Sequence, residues 1–285
     1  VMRFLDNVLD DFIQKAPDEF ADAKYSAQRE RSVGLGVMGL HSFFQQKMIP
    51  LESVMSKVWN KKIFEHIQKE VDQASKNLAE ERGACPDAAE YGYNERFSNK
   101  TAIAPTASIS IICGGTSPGV EPIAANSYTH KTLSGSFNVR NKYLKKLLAK
   151  HNKDNDETWS SITTNQGSIS HLDFLTQEEK DVFKTAFELD QKWIVELGAD
   201  RTPHISQAQS INIFLPADVH KRELHQIHFQ AWKKGLKSLY YCRSKSIQRA
   251  ENVNDAKSTD ITANVYKSKN QQPNEPEYEE CLSCQ

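Results

Sequence analysis

One apolar stripe limits this chain more than any other feature. Trp59, Ile63, Ile67, Val71, Ala74 and Leu78 recur at three- and four-residue spacing, which places them on one face of a helix of about seven turns. Gly83 follows as its C-terminal stop. Composition agrees with a folded body: 285 residues, 38% of them hydrophobic, can bury a sizeable core in one or two domains.

The same periodicity predicts further helices. Phe4, Leu5, Val8, Leu9, Phe12 and Ile13 give an opening helix that ends before Pro17. Residues 1–9 read as the inside of an amphipathic helix, so the chain is expected to begin in mid-domain. A second helix is predicted over 33–46. Between 96 and 128 short β-prone runs are broken by Pro105, Gly114, Gly115, Pro118, Gly119 and Pro122, which reads as strand, loop and turn. Thr176 to Glu179 form a capping box, and Val182, Phe183, Ala186, Phe187, Trp193, Ile194 and Leu197 carry one helix face to Gly198. Residues 210–214 alternate as a strand, Leu224, Ile227, Ala231, Trp232 and Leu236 stripe a helix, and 238–243 return to strand character, making a crossover unit. The expected division is a folded body over 1–250 and a tail over 251–285. The tail is rich in Asn, Gln, Lys, Glu and Pro, cannot offset its ordering entropy and is predicted to be disordered.

Charge and cysteine content remove several classes of function. Lysine plus arginine number 36 against 37 aspartates and glutamates, so the basic excess of a nucleic-acid binder is missing. No apolar run approaches the roughly 20 residues of a membrane span, and no charged n-region followed by an apolar h-region is seen at the start of the sequence. No membrane partner and a cytoplasmic location follow as expectations. Five cysteines, an odd number, argue against a secreted disulfide scaffold.

Four local features could carry chemistry. Gly34-x-Gly36-x-x-Gly39 has the spacing of a dinucleotide fingerprint, but the polar stretch 24–31 precedes it where a strand is required. Its glycines fit close helix packing or backbone approach instead. Pro105-Thr106-Ala107-Ser108-Ile109-Ser110 puts small hydroxyl residues after a short strand, 101–104, and before a helical turn. It reads either as an ordinary helix cap or as a phosphate site on free helix N–H groups. Tyr240 and Tyr241 stand at the end of an expected buried strand, as two core aromatics or as redox-active phenols. Cys281-x-x-Cys284 is half a zinc site without a second ligand pair, or an accessible dithiol suited to exchange. No metal site is expected. Lone cysteines such as Cys85, Cys113 and Cys242 are more often inert core residues than chemistry, and Cys113 and Cys242 are left unassigned; His225 and His228, at i and i+3, read as a satisfied surface or core pair.

Taken in order, four segments resemble the large, catalytic subunit of class I ribonucleotide reductase. They are residues 31–40 with 78–86; Ala104-Pro105-Thr106-Ala107-Ser108-Ile109-Ser110 with Val120-Glu121-Pro122 and 133–137; Gln209-Ser210-Ile211-Asn212-Ile213 leading to Gly235-Leu236-Lys237-Ser238-Leu239-Tyr240-Tyr241; and the terminal Cys281-Leu282-Ser283-Cys284. The resemblance implies an α/β fold, the second half of a ten-stranded α/β barrel with a disordered C-terminal tail. It implies that Pro105, Thr106, Ala107, Ser108 and Ser110 hold the diphosphate of a ribonucleoside diphosphate. Ile109 departs from the polar residue of some relatives and would offer only its backbone. Tyr240 and Tyr241 would relay oxidising equivalents, stacked ring on ring. Cys281 and Cys284 would pass electrons from thioredoxin or glutaredoxin to a buried disulfide. The family's thiyl-radical cysteine belongs to the first half of the barrel and has no counterpart here. The implied partners are therefore the N-terminal half of the large subunit and a small subunit whose metallocofactor generates the radical, with no cofactor bound by this chain. A non-catalytic assembly fragment is the alternative.

Overall fold

A computed structural model describes residues 1–132 and 135–244. Cys281, Cys284 and the tail over 251–285 lie outside the described residues, as do Leu133 and Ser134.

Helices come first along the chain: α1 (Met2–Lys15), α2 (Ala21–Glu30), α3 (Leu40–Gln46), α4 (Val54–Arg82), α5 (Pro86–Glu90) and α6 (Ala107–Ile112). An antiparallel hairpin follows, β1 (Ser127–Thr132) with β2 (Gly135–Arg140). Then come α7 (Lys142–Lys150), α8 (Asp156–Thr164), α9 (Gln177–Val182), α10 (Gln191–Arg201), β3 (Ile213–Leu215), α11 (Lys221–Lys233) and β4 (Cys242–Ser244).

The organising element is a parallel staircase of backbone. β3 and β4 pair in parallel, Ile213 opposite Cys242, with α11 as the expected crossover between them. Isolated parallel bridges join Leu35 to Thr101 and Ile103 to Gln209. Hydrogen bonds extend each contact: Ala102 N to Leu35 O, Ile103 N to Ala208 O, Ser210 N to Ile103 O and Tyr240 N to Ile211 O. Four segments, 33–35, 101–103, 207–215 and 240–244, thus lie side by side in that order. Helices cover them, as a parallel sheet requires.

The long stripe forms α4, capped by the Ser53 side chain accepting Ser56 N–H and ended at Gly83. It serves two cores. Phe64, with Trp59 and Ile63, packs into the main core with Leu40, Phe44, Ile103, Ile194, Val195, Ile211, Ile213 and Ile227. Val71 and Leu78 face a second core with Met2, Val33 and Phe97. A third core, centred on Trp159, Ile162, Leu148 and Phe183, belongs to α7, α8 and α9.

Three expectations are corrected. The helix predicted over 33–46 begins only at Leu40; residues 33–35 are extended and carry a single parallel bridge at Leu35 instead. A Cβ on Gly36 would lie 2.5 Å from the Ala102 carbonyl oxygen, so the glycines serve backbone approach and not helix packing. The helix predicted from Thr176 to Gly198 is broken after Val182. The capping box forms as expected, but Thr185 N–H and Oγ1 donate to Glu188, Gln191 Nε2 donates to the Ala186 and Leu189 carbonyls, and Asp190 caps a new helix. Apolar residues on both sides of this break stay in phase, which hides it in the sequence. Finally, residues 211–215 are buried throughout and do not alternate, because Ile211, Ile213 and Leu215 face the main core while Asn212 and Phe214 are covered by Glu121 and Phe187.

Candidate active site

The segment 101–110 leaves the staircase after Ile103, from its second position, and turns into α6. Thr106 is the N-cap and holds φ 54°, ψ 28°. A β-branched residue in this left-handed region is a steric outlier, and strain of about 1–3 kcal/mol is characteristic of functional turns. The Thr106 hydroxyl offsets part of it by accepting Gly119 N–H at 2.7 Å. Pro105 is half-buried, whereas Ala107 and Ser108 are exposed. The N–H groups of Ala107, Ser108 and Ile109 occupy the first turn, where an α-helix supplies no internal acceptor. Ser110 differs from its neighbours: it is buried and its hydroxyl donates to Ala107 O at 3.0 Å. The five residues predicted to hold a diphosphate are therefore adjacent, with Ser110 bracing the turn from beneath.

The glycine fingerprint has no strand before it: helix α2 runs to Glu30, and the single bridge at Leu35 lies among the glycines themselves. The reason for setting it aside holds, and the helix after it, α3, adds a second. The N-terminal N–H groups of that helix are already taken: Gly39 N donates to Ser117 O, Leu40 N to Gly119 O and Ser42 N to Ser117 Oγ. No phosphate can reach them.

Tyr240 and Tyr241 directly precede β4, and neither is buried, with 49% and 46% of their surfaces exposed. This corrects the expectation of a buried strand. Their ring centroids are 4.2 Å apart at an interplanar angle of 57°, so the rings touch but are tilted and not stacked. Ideal strand geometry would send them to opposite faces; they escape it because the regular strand starts only at Cys242. The guanidinium of Arg243 lies 5.9 Å from the Tyr241 ring centroid.

Strand register relates the two features. Ile103 pairs with Gln209, Ile213 pairs with Cys242, and Tyr240 N–H donates to Ile211 O, so the segments that carry the Thr106 turn and the tyrosines flank the same stretch, 207–215. Glu121 and Asn212, both buried, were not singled out as site residues from the sequence. Glu121 Oε1 accepts Asn212 N–H at 3.2 Å, and Asn212 Oδ1 accepts Tyr241 N–H at 3.0 Å. Burial pushes the Glu121 carboxyl up from its ordinary value, while the Asn212 N–H and the Arg243 and Arg201 charges pull the other way. Both stand inside the motifs that carry the family resemblance, Val120-Glu121-Pro122 and Gln209-Ser210-Ile211-Asn212-Ile213, which was the signal available for them.

Of the lone cysteines, Cys85 is buried as expected, whereas Cys113 and Cys242 are exposed. His228 Nδ1 lies 2.8 Å from Leu224 O, and His225 stacks on Phe229. Among the described residues no helix is long and apolar enough to cross a membrane.

The family comparison assigns this fold: the family model for the ribonucleotide reductase barrel domain matches residues 1–95 and 87–242. The chain belongs to this family. Its relatives are large subunits of ribonucleoside-diphosphate reductase. The protein of that name from Invertebrate iridescent virus 6 is 48% identical over 89% of this chain and 27% of its own length. That of Invertebrate iridescent virus 3 is 45% identical over 91% of this chain and 41% of its own length. Among solved structures, the Actinobacillus ureae class Id ribonucleotide reductase alpha subunit superposes with a TM-score of 0.80 at 38% identity, covering 86% of this chain and 45% of that one. The chain thus spans less than half the length of these relatives, and its match is to their C-terminal half.

Proposed function

We propose that this chain supplies the C-terminal half of the active site of a ribonucleoside-diphosphate reductase, which converts ribonucleoside diphosphates to 2'-deoxyribonucleoside diphosphates by radical chemistry. The observation that carries the reading is that the segments bearing the Thr106 turn and the touching Tyr240–Tyr241 pair flank the same stretch of backbone, 207–215. Substrate and oxidant would enter the same site from neighbouring strands. Pro105, Thr106, Ala107 and Ser108 would present backbone N–H groups and hydroxyls to the diphosphate, with Ser110 bracing them. Tyr241 and Tyr240 would pass an oxidising equivalent, each losing one electron and its phenolic proton and regaining both as the next group is oxidised. The N-terminal half of the large subunit would contribute the thiyl-radical cysteine, and a small subunit with a metallocofactor would contribute the radical. Cys281 and Cys284 would carry electrons from thioredoxin or glutaredoxin. A cytoplasmic location fits all of these partners.

The test uses the chain completed by the remainder of the large subunit and the small subunit. Replacing Cys281 and Cys284 by serine should stop multiple turnover driven by thioredoxin yet preserve single turnover of the pre-reduced enzyme. Dithiothreitol should restore part of the multiple-turnover rate, because a small dithiol reaches a buried disulfide directly. Equal losses with both reductants would refute the shuttle. Turnover by the 285-residue chain alone would refute the division of labour.

A further inference from the structure

The stretch 122–153 holds seven lysines and arginines and no acid, in a chain whose charges otherwise nearly balance. Five of the seven, Lys142, Lys145, Lys146, Lys150 and Lys153, lie on α7 or just beyond it, and all five are exposed. Leu144, Leu147 and Leu148, on the other face, are buried in the third core. Among the described residues none of the five lysines forms an ion pair. The acids nearby have other partners: Asp156 pairs with Arg140, Glu179 with His151, and Asp154 accepts the Trp159 indole N–H. Lys142, Lys146 and Lys150 recur every four residues, about 6 Å per step along the axis, and like charges at that spacing oppose the helix that carries them. Cohesion does not account for such a ridge, whereas an anion held along it does.

The ridge begins close to the Thr106 turn. Lys142 Nζ donates to Gly114 O at 3.0 Å, just past the end of α6. Helix α6 has six residues, a length of about 9 Å, and starts at Thr106. The anion of matching pattern lies in the same chain. Residues 270–285 hold four glutamates, Glu275, Glu277, Glu279 and Glu280, and no lysine or arginine. Pro276 disfavours a helix there, and in an extended segment alternate residues repeat every ~6.8 Å, close to the step of the lysines. About 30 residues separate Ser244 from Glu275, a reach of roughly 30 Å as a coil and up to about 100 Å fully extended. Such a tether holds the glutamates near any face of the body at roughly millimolar effective concentration, enough for a set of individually weak ion pairs.

We propose that the acidic segment 275–280 docks on the lysine ridge of α7, with Glu279 facing Lys142, Glu277 facing Lys146 and Glu275 facing Lys150, and so stations the Cys281–Cys284 dithiol at the α6 end of the ridge. Cys281, two residues past Glu279, then falls within about 7 Å of Lys142, and Leu282 meets the exposed Ile112. The docking forms no covalent bond. The exchange it serves turns the tail dithiol into a disulfide as the buried disulfide becomes a dithiol, with two electrons and two protons passing across, and thioredoxin or glutaredoxin returns both. This rests on the shuttle role proposed above and adds the surface that receives the tail.

The experiment treats the completed enzyme with a carbodiimide, which joins a carboxylate to an amine where the two touch, and identifies the linked peptides by mass spectrometry. The tail glutamates should be joined to Lys142, Lys146 or Lys150, and at least about fivefold less in about 1 M salt, where exposed charges are screened. Lys146→Glu with Lys150→Glu should abolish these links and lower thioredoxin-driven multiple turnover about fivefold, the scale of a few surface pairs, while dithiothreitol-driven turnover stays within about twofold. Adding Glu275→Lys and Glu277→Lys to that variant should restore both the links and the turnover, with carboxylate and amine exchanged. Glu275→Lys with Glu277→Lys alone leaves the folded body untouched and should reproduce the loss, so it decides the matter if the ridge variant does not fold. Links from the ridge to another polypeptide, or none, overturn the inference, as does thioredoxin-driven turnover that ignores the loss of the ridge or a charge exchange that restores neither readout. If Cys281→Ser with Cys284→Ser keeps full thioredoxin-driven turnover, the shuttle reading fails, and the links still decide whether the segment docks.

Discussion

Asp6 is fully buried on α1 and gathers three arginines. Its Oδ1 accepts Arg31 Nη2 at 2.6 Å, Arg31 Nε at 3.0 Å and Arg96 Nε at 2.9 Å, and its Oδ2 accepts Arg82 Nη1 at 2.7 Å. Arg31 and Arg96 are nearly buried as well, while Arg82 is partly open. Asp6→Asn retains one oxygen but turns the other into an N–H donor facing a guanidinium. Breaking one side of a buried ion network costs about 3–5 kcal/mol. Asp10, half-exposed and 2.8 Å from Arg31, remains as a partial partner, so the lower end, about 3 kcal/mol, is expected. For a body of this size that lowers Tm by roughly 6–12 °C. Urea unfolding followed by tryptophan fluorescence and circular dichroism measures it. The three arginines hold the Asp6 carboxyl below its ordinary value against the opposing effect of burial. Stability from this group is therefore complete above the unfolded pKa near 3.8 and is lost as pH falls through the folded value, so the gap between wild type and Asp6→Asn should narrow in acid. A loss below about 1 kcal/mol at pH 7 would mean that the network is not a structural hub.

Other outcomes follow from single contacts. His41 is buried and its Nδ1 accepts Ile123 N–H at 3.0 Å, and burial pulls its pKa from 6.5 to about 3. The unfolded chain takes up this proton below about pH 6.5 and the folded chain does not until about 3, so stability should fall by up to about 1.4 kcal/mol per pH unit within that window. Urea midpoints at pH 7 and pH 5 should differ less in His41→Gln. Gly36→Ala, whose Cβ meets the Ala102 carbonyl oxygen, should destabilise by at least about 2 kcal/mol, and more than Gly34→Ala, where the nearest atom is the Ala102 Cβ at 3.1 Å. Paired thermal melts decide it. Tyr240→Phe and Tyr241→Phe should each abolish multiple turnover of the completed enzyme while nucleotide affinity and Tm stay unchanged; full activity in both would return the tyrosines to ordinary packing.

What could be read in the sequence depended on whether a contact is local. The stripe of α4, the Thr176 capping box and the crossover through α11 rest on neighbours within a few residues, and each forms where its spacing predicts. The turn at Thr106 and the tyrosine pair were legible through their motifs. Residues 33–39 misled because apolar residues between glycines mimic a helix face, whereas the decisive partner, Ala102, lies far along the chain. The hairpin β1–β2 has polar strands without clear alternation and escaped notice, though Asn126, at the mouth of the hairpin, holds Gly167 O and Phe183 O through Nδ2. Glu121 and Asn212 stood inside quoted motifs without a role, since their contact arises only when two distant segments align.

The staircase also has a timetable. The strand around Leu35 can pair with that around Thr101 as soon as both have left the ribosome, but Ile103 must wait for Gln209, about a hundred residues later. At roughly 5–20 residues per second this is on the order of 5–20 s of synthesis during which the edge at 101–103 is unpaired. Pairings so distant also slow refolding of the finished chain. Throughout that interval a β-prone edge stands open to neighbouring nascent chains, and yield in a cell should depend on chaperone supply and translation speed more than on the stability of the native fold.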